Sequence, residues 1–85
     1  MTFGEYIQQL RKAKGLTLVE LAMKCDCSHP YLSRLEAGKY KNISSDMIRA
    51  LSSALGVTHI GMMIKAGYLT EDEVLTYRKE RGIHD

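Results

Sequence analysis

"GLTLVELAMKCDCSHPYLSRLEAGK", residues 15–39, is the stretch whose reading decides the fold. Thr17 followed by Glu20 has the spacing of a capping box, in which the threonine oxygen accepts from the N3 amide while the glutamate reaches back to the cap amide. That signal opens a helix predicted near residues 18–25. Asp26, Cys27 and the cap residue Ser28 separate it from a second helix, predicted near 29–37, with Gly38 where a left-handed stop residue is wanted. Pro30 falls at the second position of this later helix, where a missing N–H costs no intrahelical bond and the fixed φ suits the helical form. The proline therefore starts the helix. Two short helices joined by a three-residue link form a helix-turn-helix arrangement.

The same punctuation recurs on either side. Thr2 with Glu5, and Thr70 with Glu73, are further capping boxes. Leu16 and Leu21, Cys27 and Leu32, Ile43 and Ile48, and Leu69 and Val74 have the spacing of hydrophobic staples. Gly15, Gly56, Gly67 and Gly82 join Gly38 as stops after apolar periodic segments. The segmentation is six helices, near 3–13, 18–25, 29–37, 45–55, 59–66 and 71–81, and no strand pattern competes. Phe3, Ile7 and Leu10, then Leu32 and Leu35, then Ile48, Leu51 and Leu55 give the inward stripes of an all-α core that needs no cofactor to explain it.

Length and composition limit what such a chain can be. Eighty-five residues make one small domain, which buries only about 60–65% of its unfolded surface. With 45% apolar and 26% charged residues and a single proline, the chain is expected to be folded. No apolar run approaches a membrane span and no charged-then-apolar leader opens the chain, so a cytoplasmic protein without membrane contact is expected. Cys25 and Cys27 lack the second pair that a metal site requires and read as small buried hydrophobes; no metal is expected. No glycine-rich phosphate loop or nucleophile-and-base set appears, and His59 and His84 give no signal, which argues against an enzyme. The formal charge of +2 is small, but residues 1–69 carry nine Lys and Arg against five Asp and Glu, while residues 70–85 carry three against five. The positive part contains the helix-turn-helix stretch.

With Leu32 and Leu35 facing inward, His29, Pro30, Tyr31, Ser33 and Arg34 are left nearer the outer face, and their donors, acceptors and flat ring suit phosphates and base edges. In such an arrangement the first helix crosses a nucleic-acid backbone and the second enters a major groove. The quoted stretch, together with "ISSDMIRALSSALGV" at 43–57, resembles the lambda-repressor-like helix-turn-helix domains, the XRE or Cro/C1 family of phage and bacterial regulators. "KAGYLTEDEV" at 65–74 is similar to the end of this domain in some of them. The resemblance covers about residues 3–67 and implies a compact five-helix array with one added C-terminal helix. It departs from the commonest pattern at Leu18, where glutamine is frequent, at Cys25 and Cys27, where leucine and valine are usual, and at Ile43, where proline is frequent.

The function so implied is sequence-specific binding of double-stranded DNA by a phage-type or bacterial repressor. Arg34 is expected to reach a guanine or a phosphate, and His29 and Ser33 a base or a phosphate. Tyr31 either bonds a phosphate or presses on a thymine methyl, or else is a half-buried packing residue. Lys39, Lys41 and Asn42, in the loop after that helix, are expected on phosphates. Ser28, Pro30 and the backbone at Leu18 complete the DNA-facing set. The resemblance also implies that Arg11 pairs with Glu36 as a structural ion pair. The division is a DNA-binding domain over 1–69 and a C-terminal helix over 70–85; Val74, Leu75 and Tyr77 of that helix, together with Tyr68 and Leu69 before it, either dock on the domain or form a homodimer on an inverted-repeat operator. The alternative is a protein-interaction module, an antitoxin, antirepressor or adaptor, working through that last helix with a regulatory protein partner.

Overall fold

The computed structural model describes residues 1–67, arranged as five helices: α1 (Phe3–Ala13), α2 (Leu18–Lys24), α3 (His29–Glu36), α4 (Ser45–Leu55) and α5 (His59–Lys65). Three of them stop one residue earlier than the spacing predicts, because Cys25, Ala37 and Ala66 serve as caps. The expected sixth helix, the Thr70 capping box, the Leu69–Val74 staple and the stop at Gly82 lie outside the described residues. So do the C-terminal element over 70–85 and the contact residues Tyr68, Leu69, Val74, Leu75 and Tyr77.

Every described helix starts at a hydroxyl. Thr2 Oγ1 accepts from Glu5 N at 3.1 Å while Glu5 accepts from Thr2 N at 3.1 Å; Thr17 and Glu20 repeat the arrangement at 3.1 and 2.9 Å. Ser28, Ser44 and Thr58 each accept from the amide three residues on. The stops are equally local. Gly15 and Gly38 are left-handed, at φ 69° and 76°, and the amides of Leu16 and Lys39 close back on Arg11 O and Arg34 O.

Inside the helix-turn-helix, the left-handed position falls to Asp26, at φ 54°. The closing bonds are the same, from Cys27 N to Ala22 O at 3.0 Å and from Asp26 N to Met23 O at 3.3 Å. An aspartate there carries the Cβ that this conformation disfavours and places a negative charge beside the C-terminal end of α2. Asp26→Gly should therefore raise the melting temperature by about 3–6 °C, a gain of roughly 0.5–1 kcal/mol after glycine's extra unfolded-state freedom is counted. A thermal melt showing no gain would mean that the turn holds aspartate without strain.

The core is apolar and shared by all five helices: Ile7, Leu21, Leu32, Ile48, Leu51, Leu55 and Met62 are fully buried. Helix α3 packs against α1 and α2, α2 against α4, and α4 against α5. Cys25 is 6% exposed, and burial, then the neighbouring Cys27, pushes its thiol up to about 11. It remains protonated at neutral pH and fills space as a small hydrophobe. Cys27 is half-buried and also has a raised pKa, through burial and then Asp26.

One close approach orients the pair of helices that matters most. Gly4, in the first turn of α1, is buried, and a Cβ built on it would stand 2.5 Å from the carbonyl oxygens of both Leu35 and Glu36. The absence of a side chain at Gly4 is what allows the start of α1 to meet the end of α3.

Candidate nucleic-acid interface

Helix α3 divides its residues sharply. Leu32 and Leu35 are buried, whereas His29, Pro30, Ser33 and Arg34 are exposed, as is the cap Ser28. The loop that follows adds exposed Lys39, Lys41 and Asn42 before Ile43 returns to the core. These residues form an exposed run along α3 and out of its C-terminal end.

Helix α3 has no acid in its first turn, and its one acid, Glu36, is removed from the surface by Arg11. Arg11 Nε donates to Glu36 Oε2 at 2.7 Å and Nη2 donates to Oε1 at 3.1 Å, with side-chain exposures of 10% and 5%. The third donor, Nη1, reaches Leu16 O at 2.8 Å. The hydrogen bond from Glu36 raises the Arg11 pKa above its ordinary value, so the guanidinium stays charged at any working pH. Thus Arg11 joins the end of α1, the approach to α2 and the end of α3, while the carboxylate that would repel a phosphate is consumed inside. Among the described residues this is the only ion pair, and His29, Arg34, Lys39 and Lys41 are exposed.

Two of the sequence-predicted site residues are placed differently from the rest. Tyr31 is half-buried, and its ring stacks on that of Tyr40 with centroids 4.9 Å apart and planes at 24°. Leu18 is half-buried and packs its side chain against the core, while Thr17, Val19 and Glu20 beside it are exposed.

Three contributions escaped the sequence reading. Gly4 and Tyr40 act across α1, α3 and the loop, and Lys14 acts on α4. The Lys14 ammonium lies 3.3 Å from where a Cβ of Gly56 would stand. It places a cation at the C-terminal end of α4, whose own last turn has no basic residue. Among the described residues no group of His, Cys, Asp and Glu converges to hold a metal, and no single helix is long and apolar enough to cross a membrane.

Two short capped helices around a tight turn, the second packed by one face and open on the other, define the helix-turn-helix class of protein. A family described as helix-turn-helix matches residues 7–61, and the chain belongs to that family, in its XRE/Cro-C1 type. Similar chains include the HTH-type transcriptional repressor RghR of Bacillus subtilis (strain 168), 37% identical over 70 residues, which are 82% of this chain and 52% of RghR. The immunity repressor protein of Bacillus phage phi105 is 32% identical over 80 residues, 94% of this chain and 54% of that one. Among solved structures, a complex of SinR protein and SinI protein contains a chain that superposes with a TM-score of 0.69 at 29% identity, covering 95% of this chain and 81% of that chain. The chain spans about half the length of the curated repressors it matches.

Proposed function

We propose that the chain binds double-stranded DNA in a sequence-specific way and acts in the cytoplasm as a transcriptional repressor, with α3 in the major groove. The observation that carries this reading is the exposed run from Ser28 to Asn42, which presents donors without a competing carboxylate because Glu36 is bound to Arg11. Membership of the helix-turn-helix family and similarity to named repressors support it. Phosphates supply most of the affinity, through Lys39, Lys41, Asn42 and the backbone at the starts of α2 and α3. His29, Ser33 and Arg34 read base edges. The assembly on DNA is a homodimer on an inverted repeat with half-sites about 34 Å apart.

Arg34 and Lys39 separate the two kinds of contact. Arg34→Ala should relax preference at one operator position by about 1–3 kcal/mol, the worth of one bidentate pair. Lys39→Ala should weaken every sequence alike and flatten the slope of log K against log salt by about 0.9. Titrations on an operator and its single-base variants check both; equal losses on all variants for Arg34→Ala would make it a phosphate contact.

Selection of genomic fragments on the purified protein at near-physiological salt tests the whole reading, with the double variant His29→Ala, Arg34→Ala run beside the wild type. Enrichment of an inverted repeat by the wild type alone supports a dimeric operator reader. Equal retention by the variant favours the second reading, a protein-interaction module, to which the similarity to a SinR–SinI complex lends support. Salt distinguishes these too, since an apolar protein contact lacks the steep log–log dependence.

A further inference from the structure

We propose that Tyr40 is a positioning residue for DNA binding: its ring, stacked on Tyr31 of the recognition helix, fixes the loop cations Lys39 and Lys41 at a set offset from α3. The inference rests on the DNA-binding reading above and assigns a determinant that the exposed residues alone do not provide.

The loop between α3 and α4 is fastened at both ends. At the near end the Lys39 amide closes on Arg34 O at 3.0 Å; at the far end Ile43 is 7% exposed in the core. Between these points Lys41 and Asn42 are exposed. A cavity of about 170 Å³ adjoins the loop, lined by Gly38, Tyr40, Lys41 and Ile43 together with Gly4 and Leu35. Tyr40 itself is half-buried, with its side chain against the core. A lateral contact ties the loop to α3, the ring of Tyr40 against that of Tyr31 at 4.9 Å and 24°, an offset stack of the kind that aromatic pairs favour.

The geometry gives the stack a function beyond stability. Tyr31 is on α3 between Pro30 and Leu32, within the segment offered to base edges, while Tyr40 separates Lys39 from Lys41. A ring-to-ring contact joins the base-reading element to the phosphate-binding element, so both engage one duplex in a single register. Without it each lysine would have to be ordered by the DNA, at a cost in entropy taken from affinity. Stacking also commits Tyr31 to the loop, in keeping with its half-buried position.

The test compares Tyr40→Phe, Tyr40→Leu and Tyr40→Ala with Lys39→Ala and Lys41→Ala, using the inverted-repeat DNA selected by the wild type and a single-base variant of it, over a range of salt. Tyr40→Phe, which keeps the stack, should bind within about twofold of wild type. Tyr40→Leu and Tyr40→Ala should lose about fivefold at 0.15 M salt for each phosphate contact forfeited and flatten the log–log slope by about 0.9 each, with the preference between the two DNAs unchanged. A ring that merely stabilised the fold would lower the melting temperature and leave the slope where it was. If the lysine variants flatten the slope and the Tyr40 variants do not, the positioning role is overturned and the DNA-binding reading stands. If the wild type shows no steep salt dependence, both fall together.

Discussion

Glu36→Ala should cost about 3–5 kcal/mol of folding stability, because it leaves the Arg11 guanidinium enclosed with only the Leu16 carbonyl as partner. A small domain has roughly 5–10 kcal/mol in total, so the variant should be partly unfolded at 37 °C and show a greatly reduced urea midpoint. The charge, rather than the loss of contacts, sets this size. Replacing both partners at once, as Arg11→Met with Glu36→Leu, removes the stranded cation and should recover most of the loss. Urea unfolding of the two variants decides the matter; a loss under 1 kcal/mol for Glu36→Ala would show that the pair behaves like one on an open surface.

Gly4→Ala should have an effect of comparable size and of a sign that helix propensity does not anticipate. In a free helix, alanine for glycine gains close to 1 kcal/mol. At this position the new methyl would stand 2.5 Å from two backbone carbonyl oxygens and 2.8 Å from a third backbone atom. No rotation of a side chain relieves that contact, so α1 and α3 must move apart. A net loss of about 2–3 kcal/mol is expected, with the melting temperature lowered by more than 8 °C. An unchanged melting temperature would falsify the close approach of the two helices.

The two predictions also mark what is legible in a sequence. The capping boxes at Thr2 and Thr17, the cap at Ser28, the stops at Gly15 and Gly38, and the inward Leu32 and Leu35 are all local: each depends on residues three to five apart, and pattern reading finds them. The five described helices follow from such signals. The role of Gly4 depends on a carbonyl more than thirty residues away, and nothing in its own neighbourhood announces it. Asp26 replaces the glycine that a left-handed position attracts, so the stop of α2 carried no mark. The sequence leaves Tyr31 between packing and contact, and the fold joins its ring to that of Tyr40, nine positions on. The Arg11–Glu36 pair came from family resemblance, since 25 residues separate the partners and no periodicity links them.

Separate duties along α3 have a consequence for how a protein of this kind changes over generations. The residues that hold the helix in place, Leu32, Leu35 and Glu36, are turned inward or bound to Arg11, whereas His29, Ser33 and Arg34 make no contact on which the core depends. Exchanges at such open positions ordinarily alter stability by less than about 0.5 kcal/mol. A lineage could therefore try new outward side chains one after another on an unchanged frame, and acquire a new target without first passing through an unfolded intermediate.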